Sequence, residues 1–345
     1  MARKSGCWKL LALAITAVFL FSLAGCSKSG GEAQAPKSQG QPSGNIFLSI
    51  GGNPVGLAWY QMAVGISEAL NKNMPNVKAT AEATAGAVEN VRRMNGNEME
   101  IGFTIPSVAV ESYKGEGDFK GKKNNILSLM SNQMAYLQVI ALKDSNIKSV
   151  AELKGKRVGM APPGSASHLD AKLIMEANNI TDKDLKPFYI SATEAVEMMK
   201  DGQLDAVIQT GAIRLAPFID LANTRPIVAV PVDEATMKKI TDRYPYFVKT
   251  SLPANNYKGM DQAVQTMGYR HILVVRKDLS EEVVYNVTKC LYENLEYLKS
   301  VHNGFKEVSD KTMLDSLPIP LHPGAAKYYK EKGLPGIDEF IARTK

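Results

Sequence analysis

Cysteine and histidine are scarce in this chain, three and four residues respectively among 345. Cys7 and Cys26 sit near the start and Cys290 stands alone far downstream, so the body of the chain can neither close a disulfide nor build a cysteine metal cluster. His168, His271, His302 and His322 are scattered without metal-site spacing; His302 and His322 read as surface or local-packing residues. No G-x-x-x-x-G-K phosphate loop occurs. The stretch "PGSASH" (163–168) lacks the second glycine of G-x-S-x-G, and the Ser165–His168 pair has no third group to orient it. Charge imbalance is lacking too. The formal net charge of +6 falls to +3 once Arg3, Lys4 and Lys9 leave with the N-terminal segment described next, which is too little for a nucleic-acid surface. These absences argue against an enzyme, a metal protein and a nucleic-acid binder, and no cofactor is expected.

One long apolar run is present. Arg3 and Lys4 precede an uncharged stretch from Leu10 to Leu23, which ends in "LAGC". Residues 1–25 read as a secretory signal, short for a membrane span, and resemble a bacterial lipoprotein signal in which Cys26 becomes the lipidated first residue. Residues 26–44 continue as a Gly, Ser, Gln, Pro and Lys tract with no large apolar side chain. Such a tract cannot bury a core and acts as a tether, with a root-mean-square span of about 23 Å.

The remaining chain, about 300 residues, is long enough for two lobes. Strands and helices alternate: "NIFLSI" as a buried strand, a helix from Leu57 to Lys72, "VKATAEA", "AVENVRRM", "MEIGFT", then the apolar runs "ILSLMSN" and "AYLQVIAL". "KSVAELKGKRVGM" predicts a short helix, a glycine stop and a strand. This rhythm implies parallel sheets faced by helices. The second half echoes the first, "AVEMMKDGQLDAVIQT" (195–210) following the plan of "AVENVRRMNGNEMEIGFT" (87–104). Each half thereby offers two loops at strand carboxyl ends, where open α/β sheets bind ligands. The segments 135–144 and 269–278 look like crossings between lobes and would form a two-strand hinge. The predicted organisation is lobe I at 45–138 and 269–345, with lobe II at 139–268.

In order along the chain, "GGNPVGLAWYQMA", "ATAGAVENVRRM", "IGFTIPSVAVESY", "LKGKRVGMAPPGSASHLDA", "DAVIQTGAIRLAPFIDLA" and "PLHPGAAKYYKEKG" resemble the TAXI group of extracytoplasmic solute-binding proteins, which serve tripartite ATP-independent periplasmic (TRAP) transporters. The resemblance covers essentially everything after the tether. It implies a two-lobe α/β periplasmic-binding-protein fold of type II kind with the ligand cleft between the lobes. It also implies a glutamate-like, keto or dicarboxylic acid as solute, delivery to a TRAP membrane permease, and a monomer lipid-anchored outside the cytoplasm.

Candidate ligand-binding residues follow from the strand-end loops. Pro162, Pro163 and Gly164 shape a turn; Ser165, Ala166, Ser167 and His168 would form the first helical turn, whose amides and two hydroxyls suit a carboxylate. An ordinary serine helix cap is the competing reading. Gly52 and Asn53 precede a helix carrying Trp59 and Tyr60; the family places an aromatic pair there, and Tyr60 is either a ligand wall or core. Thr84, Gly86, Ala87 and Val88 open the next helix, and Thr104 and Ser107 flank the end of the following strand. In lobe II, Gln209, Thr210, Gly211 and Ala212 hold the matching strand end. Arg214 follows, either as a two-pronged carboxylate clamp or as a solvated surface residue. The chain departs from the family at Asn53-Pro54, Ile105, Ala166-Ser167 and His168. A membrane-tethered sensor using the same cleft is the alternative to transport, and a hydrolase is the remote one.

Overall fold

Apolar runs and amphipathic segments alternate from the first residues that the structure, a computed structural model, describes: 45–122 and 124–344. The signal, Cys26 and the tether lie outside them. In chain order the elements are β1 (Ile46–Gly51), α1 (Ala58–Asn73), β2 (Val77–Glu82), α2 (Ala87–Asn95), β3 (Ile101–Thr104), α3 (Pro106–Lys114) and β4 (Ile126–Leu142). Next come β5 (Arg157–Gly159), α4 (Ala166–Ala177), β6 (Lys186–Phe188), α5 (Ala192–Lys200), β7 (Ala206–Gly211), α6 (Ala216–Thr224), β8 (Ile227–Ala229), α7 (Glu234–Arg243) and β9 (Val248–Leu252). β10 (Val264–Arg276), α8 (Glu281–Glu293), α9 (Leu295–Val301), α10 (Pro323–Glu331) and α11 (Ile337–Arg343) complete the body.

Local chemistry accounts for many boundaries. α1 buries Met62, Ile66, Ala69 and Leu70 at helical spacing. α5 starts at a capping box in which Ser191 and Glu194 satisfy each other's backbone amides. α3, α6 and α10 each carry proline in the first turn, where its missing N–H is no loss. Two expectations need correction. The short helix before β5 is a single 3-10 turn, Val150–Leu153. β1 is also not buried throughout, since Phe47 is 70% exposed.

The sheet runs β2-β1-β3-β10-β4-β7-β5-β6, with β8 on β4 and β9 on β10. β1 lies parallel between β2 and β3, and β5 lies parallel between β6 and β7. The sequence echo is therefore one topology used twice. β3 then meets β10, and β7 meets β4, both antiparallel. The fold is thus α/β, two halves of like topology joined into one mixed sheet.

β4 and β10 join the halves. β4, of 17 residues, spans about 55 Å at strand rise. Its first part pairs with β10 from Arg276 back to Gly268, opposite Tyr136. Beyond that point the two strands part. β4 continues with β7 and β8, while β10 pairs with β9. The crossings read at 135–144 and 269–278 are thus pieces of longer strands. The larger apolar core extends from Leu48 and Ile66 through Tyr269 and Phe247 to Ile174 and Met175 on α4. A second core, around Ile140, Val207, Phe218 and Leu221, lies in the second half and takes in Met134 and Tyr136 of β4.

Candidate functional site

Short polar residues at the strand ends of the first half are bonded mainly to one another. Gly52 leaves β1 so close to α1 that a Cβ there would lie 2.7 Å from the Tyr60 Cα. Asn53 Oδ1 accepts from the Tyr60 amide at 2.9 Å, capping α1. Thr84 Oγ1 donates to the Gly52 carbonyl at 3.0 Å and accepts from the Gly86 amide at 3.1 Å. Thr104 is fully buried, its hydroxyl 3.4 Å from the Ala87 carbonyl. Asn90, which sequence reasoning passed over, holds this group together. Its Nδ2 lies 2.8 Å from the Gly52 carbonyl and 2.9 Å from that of Phe103. The Ala87 and Val88 amides, at the start of α2, take no acceptor among the described loop and cap hydrogen bonds, as first-turn amides do.

The second half repeats the pattern. Ser165 is the cap of α4 rather than part of its first turn: its hydroxyl accepts from the His168 amide at 3.2 Å and donates to the Pro162 carbonyl at 2.7 Å. Ser167 Oγ donates to the Thr210 carbonyl (3.1 Å) and accepts from Gln209 Nε2 (2.7 Å) and the Thr210 amide (3.2 Å). A hydroxyl has one donor and two acceptor sites, so Ser167 is fully engaged in tying α4 to β7. His168 Nδ1 donates to the Met160 carbonyl at 3.0 Å, and its ring meets Tyr189 edge-on. The Ala166 and Ser167 amides remain the open donors of this turn.

Arg214 stands apart from both groups. Gln138 on β4 donates to the Ala212 carbonyl at 2.9 Å, and Tyr257 bridges Gln138 (2.7 Å) and the Leu215 amide (3.1 Å), pinning the turn after Gly211. Arg214 is exposed, has a left-handed φ of 57°, and reaches only the Asn255 carbonyl at 3.5 Å. Ser107 opens onto a cavity of about 460 Å³ between α3 and residues 243–246. Glu111 in its wall has a raised pKa through burial and its neighbours Asp118 and Glu116.

The halves are linked by residues of the crossing strand that sequence reasoning missed. Trp59, not its neighbour Tyr60, is the buried ring of the pair. It stacks on Phe103 at 5.9 Å and donates from Nε1 to His271 Nδ1 at 3.1 Å. Tyr269 lies 6.3 Å from His271, and its hydroxyl donates to Asp170 on α4 at 3.1 Å. Burial pushes the Asp170 pKa up to about 7, partly offset by the Thr210 and Tyr269 hydroxyls. The Thr210 hydroxyl is buried beside Asp170 yet outside regular hydrogen-bond geometry. Burial pushes His271 down to about 4. The only sequence sign of this chain was two polar-capable rings inside an apolar run, "YRHILVV".

Among solved structures, the chain is similar to the periplasmic aliphatic sulphonate binding protein SsuA from Escherichia coli (13% identity, 87% of this chain and 84% of that one, TM-score 0.46). It is also similar to a TctC solute binding protein from Polaromonas (16%, 75% and 88%, TM-score 0.49). A third is the probable amino-acid ABC transporter extracellular-binding protein YtmK from Bacillus subtilis (17%, 74% and 96%, TM-score 0.45). A family model matches residues 50–333, nearly the whole described body, and by that match the chain belongs to the NMT1-like family.

Proposed function

We propose that the chain is an extracytoplasmic solute-binding lipoprotein that closes two lobes on a small organic anion or amino acid and delivers it to a TRAP permease. The carrying observation is the chain of contacts Phe103–Trp59–His271–Tyr269–Asp170, which joins the strand carboxyl ends of two halves of equal topology. Helix starts with open amides flank it at α2 and α4 and favour a carboxylate. The parting of β4 and β10 near Tyr136 and Gly268 supports lobe limits of 45–138 with 269–345, and 139–268. In this reading Ser165, Ser167, Thr84 and Asn53 position the donors, while the amides of Ala87, Val88, Ala166 and Ser167 meet the solute. Arg214, exposed and bonded only at 3.5 Å to the Asn255 carbonyl, closes over it.

A thermal-shift screen against amino acids, keto acids and dicarboxylates tests the reading: a ligand at about 100 times its Kd adds roughly 2.7 kcal/mol, several degrees in Tm. No shift with any of the three classes would defeat it. Arg214→Ala should weaken the best binder by about tenfold or more, the worth of a charge-assisted pair, with Tm unchanged. An unaltered Kd removes Arg214 from the site. Cys26→Ser should move the protein from the membrane to the soluble fraction; retention on membranes would contradict the lipid anchor.

A further inference from the structure

We infer that His271 contacts the solute directly, presenting Nε2–H as an uncharged donor to a carboxylate, keto or amide oxygen while Trp59 holds the other ring nitrogen. The inference rests on the solute-binding reading above and names one of its contacts.

An indole N–H can only donate. With Trp59 Nε1 at 3.1 Å, His271 Nδ1 must carry the lone pair, so the proton of the neutral ring is on Nε2. Protein packs closely enough around the ring to hold it neutral far below physiological pH. Nε2 makes no hydrogen bond among the described residues, and it is not one of the fully buried atoms left without a partner; His271 keeps part of its surface open. The ladder is irregular at this point. Pairing with β4 slips between Arg270↔Met134 and Ile272↔Ser131, so Asn132 and Gln133 together face His271. The bulge is on β4, so the ladder opens opposite His271; such bulges recur beside binding sites. Ile272 pairs with Thr104, the last residue of β3, which places His271, in the middle of β10, beside the carboxyl end of β3, where α/β ligands lie.

The chemistry follows. A neutral Nε2–H offers no lone pair, so a solute ammonium finds nothing to bind at this point. Trp59 meets the ring edge-on and Tyr269 lies tilted beside it, so the two buried aromatics fix the plane of the imidazole.

The test uses the full-length protein in detergent, with L-glutamate, 2-oxoglutarate and succinate as probes in calorimetry. His271→Gln, whose amide nitrogen can reach the Nε2 position, should bind the best probe within about threefold of wild type. His271→Asn, which keeps a partner for Trp59 but not the outer donor, should lose about tenfold or more. In 15N-histidine spectra, the protonated Nε2 of wild-type His271 should shift when that probe is added. Unchanged affinity in both variants, equal loss in both, or a silent Nε2 resonance would overturn the contact and leave the solute-binding reading standing. Failure of the wild type to bind any probe would overturn both.

Discussion

Asp170→Asn is expected to make the protein lose stability as pH falls from about 6.5 to 4, and His271→Asn to make it lose stability as pH rises from about 4 to 7. The two groups are displaced in opposite senses by one cause, burial along the same wall. Asp170 keeps its proton in the folded state up to a pKa of about 7, against 3.8 for an ordinary carboxyl. Above pH 3.8 the unfolded chain releases that proton and the folded chain does not, so this group lowers stability as pH rises through the folded value. His271 stays neutral when folded down to about 4, against 6.5 when unfolded. Below pH 6.5 the unfolded chain takes up a proton, so this group lowers stability as pH falls.

Between those limits folded and unfolded chains differ by one proton at each residue with opposite sign, and the pair contributes almost no slope. Removing either exposes the other. At 1.36 kcal/mol per pH unit, the Asp170 slope amounts to about 4 kcal/mol and the His271 slope to about 2–3, trimmed by the part of that ring open to water. Among the described residues no opposing ion faces either group: Asp170 meets the Tyr269, Tyr246 and Thr210 side chains, and His271 meets Trp59 and Tyr269 with Asn132 and Gln133 across the ladder. Urea unfolding at pH 4.5, 5.5, 6.5 and 7.5 measures this; variant curves that run parallel to wild type would refute it.

Gly268→Ala is expected to be the most damaging small substitution on the crossing strands. Gly268 lies opposite Tyr136, where β10 leaves β4. A Cβ there would sit 2.0 Å from the Ala135 carbonyl oxygen and 2.9 Å from the Met134 methyl. Met134 can swing away, but the Ala135 oxygen belongs to a buried backbone. The strands would have to separate at their junction, at a cost of about 3 kcal/mol or outright loss of the fold. Gly259→Ala is the matched control: it also strains its backbone, with a φ of +83°, but its Cβ meets nothing within 4 Å, so it should cost only about 1 kcal/mol. A urea midpoint for Gly268→Ala equal to that of Gly259→Ala would show that the strands do not meet as described.

Much of the fold was legible because its signals are short-ranged. The apolar spacing of α1 lies within a few residues of chain; the proline at the start of α3 and the Ser191–Glu194 capping box are as local but went unread. The echo between 87–104 and 195–210 likewise pointed to one topology used twice, which the β2-β1-β3 and β6-β5-β7 orders display. The crossing strands were half legible: the apolar runs were visible, but not that "ILSLMSN" and "AYLQVIAL" are one strand, because length alone does not tell a continuous strand from two.

By itself the sequence determined the alternation of strand and helix, the duplicated plan, the strand-end loops and the scarcity of catalytic and metal-binding groups. Only the tertiary structure decided which side chains are free to meet a solute. It turned Ser165, Ser167, Thr84 and Asn53 inward as caps and braces, and it brought Trp59 to His271 across 212 residues and Asp170 to Tyr269 across 99. The physical reason is that a polar group bonds to whatever donor or acceptor the fold places within about 3 Å. Helical and strand propensities are written in neighbouring residues, whereas those partners come from chain far away.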